Sequence, residues 1–139
     1  MLRPLPLLPV LLAAGAATPI LPGRWVTTTT VLDASMPGAP PQVAAMMKGR
    51  PTTVTSCIAP ADAANGPRAL AEKSNGRCSY TQFSMAAGRL NTAMSCKGDM
   101  TARLTGSYTP TSLSLDGTMT GAGGMIVKMH TEGRRVGAC

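Results

Sequence analysis

The sequence predicts an all-β chain: a single antiparallel meander sheet, curled into a half or closed barrel, with one short helical insert and disulfide staples. Three observations carry this expectation. "GRWVTTTTVL" (23–32) is rich in β-branched residues, which suit a pleated, half-buried surface. Beyond residue 78, apolar and polar side chains alternate with period two, as in antiparallel strands with one wet face. Four cysteines, Cys57, Cys78, Cys96 and Cys139, suffice for two bridges.

The 139 residues hold one domain, assigned to residues 18–139. Hydrophobic residues make up 44% of the chain but aromatics only 3%, so the core has to be built from aliphatic side chains and from ten methionines. Those side chains bury less area each than aromatic ones, and covalent staples compensate in a small domain. Residues 1–17 read as a secretory signal. Arg3 is its positive start, and Leu5 to Ala14 is an apolar stretch too short to span a bilayer. Ala14-Gly15-Ala16-Ala17 offers the small residues of a cleavage site. Export points to the periplasm of a Gram-negative envelope, or to secretion, where an even number of cysteines pairs. No apolar run elsewhere is long enough for a transmembrane span.

The elements follow in order. Gly23 to Leu32 is the first strand, and the breaker cluster "SMPGAPP" (35–41) ends it. "VAAMMKG" (43–49) is a short helical turn or an irregular crossing. "TTVTSCI" (52–58) is the second strand. The insert, 59–76, has helical character: Pro60 suits a first turn and Asp62 the positive end of the helix dipole. Gly66-Pro67 breaks it into two short pieces. After it come strands joined by turns at "YTPTS" (108–112) and "TGAGG" (120–124).

The segment "CSYTQFSMAAGRLNTAMSC" (78–96) reads as a hairpin. Ala86-Ala87-Gly88 fits a three-residue loop with Gly88 at the left-handed position, closed by Met85 opposite Arg89. That register sets Cys78 directly opposite Cys96, near disulfide distance. Cys57 then pairs with Cys139 by elimination. The open alternative is Cys57–Cys78, clipping the insert, with Cys96–Cys139. Metal sites usually draw ligands from close cysteine pairs, which are missing here, so staples are the favoured reading and no metal or other cofactor is expected.

Several stretches, "GRWVTTTT", "MPGAPP", "CIAPADAA", the 78–96 hairpin, "YTPTSLSLDGTM" and "GRRVGAC", together resemble the exported bacterial family catalogued as domain of unknown function thirty-six seventeen. In that family a G-x-W start, a Cys-Leu/Ile-x-Pro stretch and a closing Gly-(Arg/Lys)-Arg-x-Gly-x-Cys recur. Ala59 departs from the usual Thr or Ser before Pro60 and loses a helix cap. The resemblance implies compartment and fold, and no activity. Gly23-x-Trp25 also resembles the start of lipocalin-like barrels. There the Trp packs under an Arg of the last strand, a role this resemblance offers to Arg134 or Arg135.

Little in the chain points to catalysis. There is one histidine, His130, and the carboxylates Asp33, Asp62, Glu72, Asp99, Asp116 and Glu132 form no recognisable constellation. Neither a nucleophile elbow nor a phosphate loop occurs. The formal charge of +7 falls by one, to +6, when Arg3 leaves with the signal, and the remaining cations are scattered without stacking aromatics. That argues against nucleic acid. Met125 and Met129 with His130, and the pair Met46-Met47, suggest Cu(I), which soft thioethers select. Strand alternation sets His130 against the two methionines, and Met is the natural filler of a core poor in Phe.

The leading expectation is therefore a non-catalytic, monomeric envelope protein that takes a small apolar ligand or an envelope protein on a concave face. Leu90, Met94, Leu104, Tyr108, Leu113, Leu115, Met119, Met125, Val127 and Met129 would line it, with Trp25 and Arg134 or Arg135 at one end. A structural or inhibitor-like interaction domain, whose insert fills that face, is the alternative.

Overall fold

The computed structural model describes residues 20–65 and 76–139. The predicted signal, residues 1–17, and the Gly66-Pro67 break of the insert lie outside the described residues. Seven strands form one antiparallel sheet: β1 (Gly23–Ser35), β2 (Pro51–Ile58), β3 (Cys78–Ala86), β4 (Arg89–Cys96), β5 (Met100–Thr109), β6 (Ser112–Gly121) and β7 (Met125–Gly137). Their order is β2-β1-β7-β6-β5-β4-β3, so β3 to β7 run as a meander and β1 returns beside β7. The sheet is open, with β2 and β3 as its edges. The antiparallel sheet of the expectation is thus present, and the closed barrel is not formed.

Among the described residues two short helices interrupt the strands. Helix α1 (Pro41–Met47) joins β1 to β2 and packs beside β1. Pro41 opens it, where a missing N–H costs nothing, so the helix begins inside the stretch read from sequence as loop. Gly49, at φ 76°, donates its N–H to Val31 O and turns the chain into β2. Helix α2 (Pro60–Asn65) starts at the expected proline and carries Asp62 in its first turn.

The β3–β4 hairpin corrects the sequence reading. Its loop has two residues, Ala87 and Gly88, at φ 52° and 76°. Ala86 faces Arg89 and Met85 faces Leu90. Positive φ at both central residues is the geometry whose twist matches the strands. Continued without interruption, this register would set Cys78 opposite Lys97. A bulge at Thr81 shifts it by one, and Cys78 faces Cys96 after all. The bridge Cys78–Cys96 forms across a Cα separation of 4.0 Å, and Cys57–Cys139 across 5.7 Å.

Alternation gives the sheet two chemically distinct faces. Directly opposed residues share a face, and one face collects Trp25, Thr92, Leu104, Tyr108, Leu113, Leu115, Met119, Val127 and Met129. The other is dominated by Ser and Thr, with Arg103, Asp116, Lys128, His130, Glu132 and Arg134. Two further bulges, at Val136 in β7 and Leu32 in β1, leave those apolar side chains half exposed.

The two staples should differ in worth. Cys78–Cys96 closes a hairpin already held by its ladder, so its removal should cost less than the roughly 3 kcal/mol of a free loop of that size. Cys57–Cys139 ties an edge strand to residues 82 positions away, and its loss should cost about 4 kcal/mol. Denaturant titration of the paired Cys→Ser variants reads the order, and non-reducing peptide mapping after cleavage at Arg89 should recover a Cys78–Cys96 peptide.

Candidate functional site

The apolar face is the candidate site, and glycines shape it. Gly106 lies opposite Leu115, Gly117 opposite Leu104 and Met129, and Gly133 opposite Leu113. A Cβ at Gly117 would stand 2.8 Å from Leu104 Cδ2, and one at Gly133 would stand 2.8 Å from Leu113 Cγ. At Gly106 it would overlap the Ser114 carbonyl itself. Large side chains of each strand thus lie over glycines of the next and fill the space a Cβ there would take.

One end of this face is closed by a clasp. Trp25 is 1% exposed, and its Nε1–H donates to Leu21 O at 2.9 Å. Leu21 N–H donates to Pro110 O in the β5–β6 turn. Arg135 stands opposite Trp25 on the same face, and its Nε–H donates to Pro22 O at 2.7 Å. Gly23, at φ 139°, has Arg135 Nε 2.6 Å from where a Cβ would be, which explains the glycine two residues before the tryptophan. The residues Leu21–Gly23 therefore strap the sheet end, with Trp25 beneath.

The positions predicted from sequence fall into three groups. Leu115, Met119, Met125, Met129 and Met94 share the apolar face and are half buried. Trp25 and Tyr108, at 1% and 6% exposure, belong to the core and offer little surface to a ligand. Arg134 is on the other face, opposite Val26 and Ser112. β7 alternates without a break from Met125 to Arg135, so of the two arginines offered by the sequence Arg135 is the one beside Trp25. All four cysteines are in the two staples.

The Ser/Thr face holds the titratable cluster, which the sequence analysis did not assemble. His130 Nδ1 is 2.7 Å from Asp116 Oδ1, and Nε2 is 3.3 Å from Glu132 Oε1. Asp116 lies directly across from His130 on β6, and Glu132 is two residues along β7, so the strand period brings the three together. The two carboxylates hold the imidazole pKa above its ordinary value of 6.5. They grip opposite ring nitrogens and do not converge on one point. Among the described residues, no three His, Cys, Asp or Glu side chains form a metal-binding group. Met125 and Met129 face away from His130, so the Cu(I) set suggested by sequence is divided between two faces. On this face a depression of about 590 Å³ is lined by Thr28, Ser107, Thr109, Ser112, Ser114, Glu132 and Arg134, among others.

The family model described as a protein of unknown function, DUF3617, matches residues 20–139. The chain belongs to the DUF3617 family. Comparison with curated proteins and with solved structures found no match. The lipocalin-like resemblance is not shown. The residues that carried the family resemblance, Gly23, Trp25, Cys57 and the closing segment with Arg135 and Cys139, build the clasp and a staple.

The glycines of the face give a graded expectation. Gly106→Ala drives a methyl into backbone and should destabilise by about 2 kcal/mol or more. Gly121→Ala meets only the terminal methyl of Met125, at 2.6 Å, which can swing aside, and should cost under about 1 kcal/mol. Denaturant midpoints of the two variants measure the gap.

His130 supplies a pH expectation. Its folded pKa lies above its unfolded one, so its contribution is fully present below about pH 6.5 and fades as pH rises through the folded value. The cluster is solvent-exposed and screened, so the effect is small. Thermal midpoints from pH 5 to 9 should fall more with rising pH in the native chain than in His130→Gln.

Proposed function

We infer that this chain is an exported, non-catalytic binding protein of the cell envelope, whose apolar face takes a small apolar ligand such as an acyl chain. The observation that carries the reading is the half-buried state of Leu104, Leu113, Leu115, Met119, Met125 and Met129 across three adjacent strands. A sheet face of this composition normally disappears under a second layer. Here only Trp25, Tyr108 and Val127 of its hydrophobic residues are buried among the described residues. Unbranched, polarizable methionines adapt to irregular apolar shapes, and a stapled sheet keeps such a surface from collapsing. Both staples suit an oxidising compartment, and no described helix is long and apolar enough to cross a membrane.

Support for a non-catalytic role comes from the one imidazole, whose two nitrogens are both engaged by carboxylates. Native mass spectrometry of protein isolated from the periplasm should show a co-purifying apolar adduct. A fluorescent fatty-acid probe should bind, and Leu115→Asp should weaken it by at least about tenfold, since a buried carboxylate opposes an apolar ligand. A clean apo mass together with no probe binding would favour the interaction-domain reading instead.

A further inference from the structure

We propose that β2 is a self-association edge, and that two copies of the chain pair through it about a two-fold axis, in a register that sets Val54 against Val54. The sheet ends at β2, and among the described residues no strand lies beyond it. β2 pairs with β1 over eight consecutive positions, Gly23–Ile58 through Thr30–Pro51, without a bulge. Seven of its eight residues are exposed, and none from Pro51 to Ile58 is charged. Such an edge presents a straight row of unpaired backbone groups, and proteins normally guard these with charge, bulges or cover. The opposite edge, β3, is guarded: the bulge at Thr81 breaks its line. Among the described residues β2 carries neither charge nor bulge, its one proline, Pro51, stands at the very start of the strand, and the Cys57–Cys139 bridge holds the other end against fraying.

The occupant follows from symmetry. A two-fold axis normal to the sheet returns each face to itself, so every residue of β2 must meet one on its own face. Centring on Val54 satisfies this. It places Val54, 53% exposed, against its counterpart on the apolar face. Thr53 then meets Thr55 on the Ser/Thr face, and Thr52 meets Ser56. Thr53 already shares a 3.0 Å hydroxyl contact with Thr28 of β1, and the new pairs extend that pattern. Arg50 falls opposite Ile58, so the two Arg50 side chains stand at opposite ends and no like charges meet across the axis despite the formal charge of +7. The contact is isologous and uses up both β2 edges. With β3 interrupted, the assembly stops at a dimer. One strand pair buries less than the roughly 1,200 Å² of a standard interface, so the dimer is weak and concentration-dependent. The monomer expected from sequence is then its dilute form.

Sedimentation equilibrium of the disulfide-intact protein, from micromolar to millimolar concentration, tests this. The native chain should show a reversible monomer–dimer equilibrium. Val54→Lys, which opposes two ammonium groups across the axis, should weaken it by at least about tenfold while leaving circular dichroism unchanged. Under mild oxidation Val54→Cys should give a covalent dimer on a non-reducing gel, with Thr55→Cys giving far less. A native chain that stays monomeric throughout, or a Val54→Lys chain that dimerises as well as the native one, overturns the proposal. So does Thr55→Cys cross-linking in preference to Val54→Cys.

Discussion

The fold hangs on the burial of Trp25. It is the only tryptophan in a chain with four aromatic side chains among 139 residues, and it sits where three parts of the chain meet. Its ring fills the end of the sheet beside Arg135 of β7, and its N–H holds the strap at Leu21. The strap is held in turn by Arg135 and by the β5–β6 turn. An open sheet lacks a second layer, and its ends are where water would enter first. Burying one large side chain there, with its single polar atom satisfied, protects more ladder than any aliphatic residue could at that point. Gly23 is the condition for it, because a side chain at that position would collide with Arg135.

Away from the clasp, the sheet holds together by complementarity of size. Leucines and methionines of one strand lie over glycines of the next. Leu104, Leu113, Leu115 and Met129 thereby fold down onto the sheet itself over neighbouring glycines. The outcome is asymmetric. The Ser/Thr face is an ordinary wet face whose hydroxyls bond one another across strands, as Thr28 does with Thr53 and Thr109 with Ser112. The apolar face is only half covered.

The strands were legible because β-branching and alternation are local signals. Gly23 to Leu32 and Leu113 to Met129 could be placed without knowing their neighbours. Cysteine pairing was legible for a partly mistaken reason: the loop is one residue shorter than Ala86-Ala87-Gly88 implied, and the bulge at Thr81 offsets the difference. No sequence signal marks Thr81, since a bulge is chosen by the ladder on either side of it. The same limit hid the His130 cluster, because Asp116 reaches His130 only through the β6–β7 register. The choice between Arg134 and Arg135 needed only the alternation of Met125, Val127 and Met129 carried on to Arg135. Barrel closure was beyond reach, since edge pairing between β2 and β3 is a property of whole-sheet curvature.

The place of β7 bears on how the chain acquires its structure in time. It is the last strand in chain order, yet it lies between β1 and β6 and is the neighbour of both. The Thr29–Thr131 contact spans 102 positions. The meander from β3 to β6 can assemble from adjacent hairpins, but β1 and β2 have nowhere to dock until β7 arrives. Folding therefore divides into a fast local stage and a slow one limited by a long-range closure. Until β7 arrives, the outer edge of β1 has no partner and Cys57 has no Cys139 beside it to bridge.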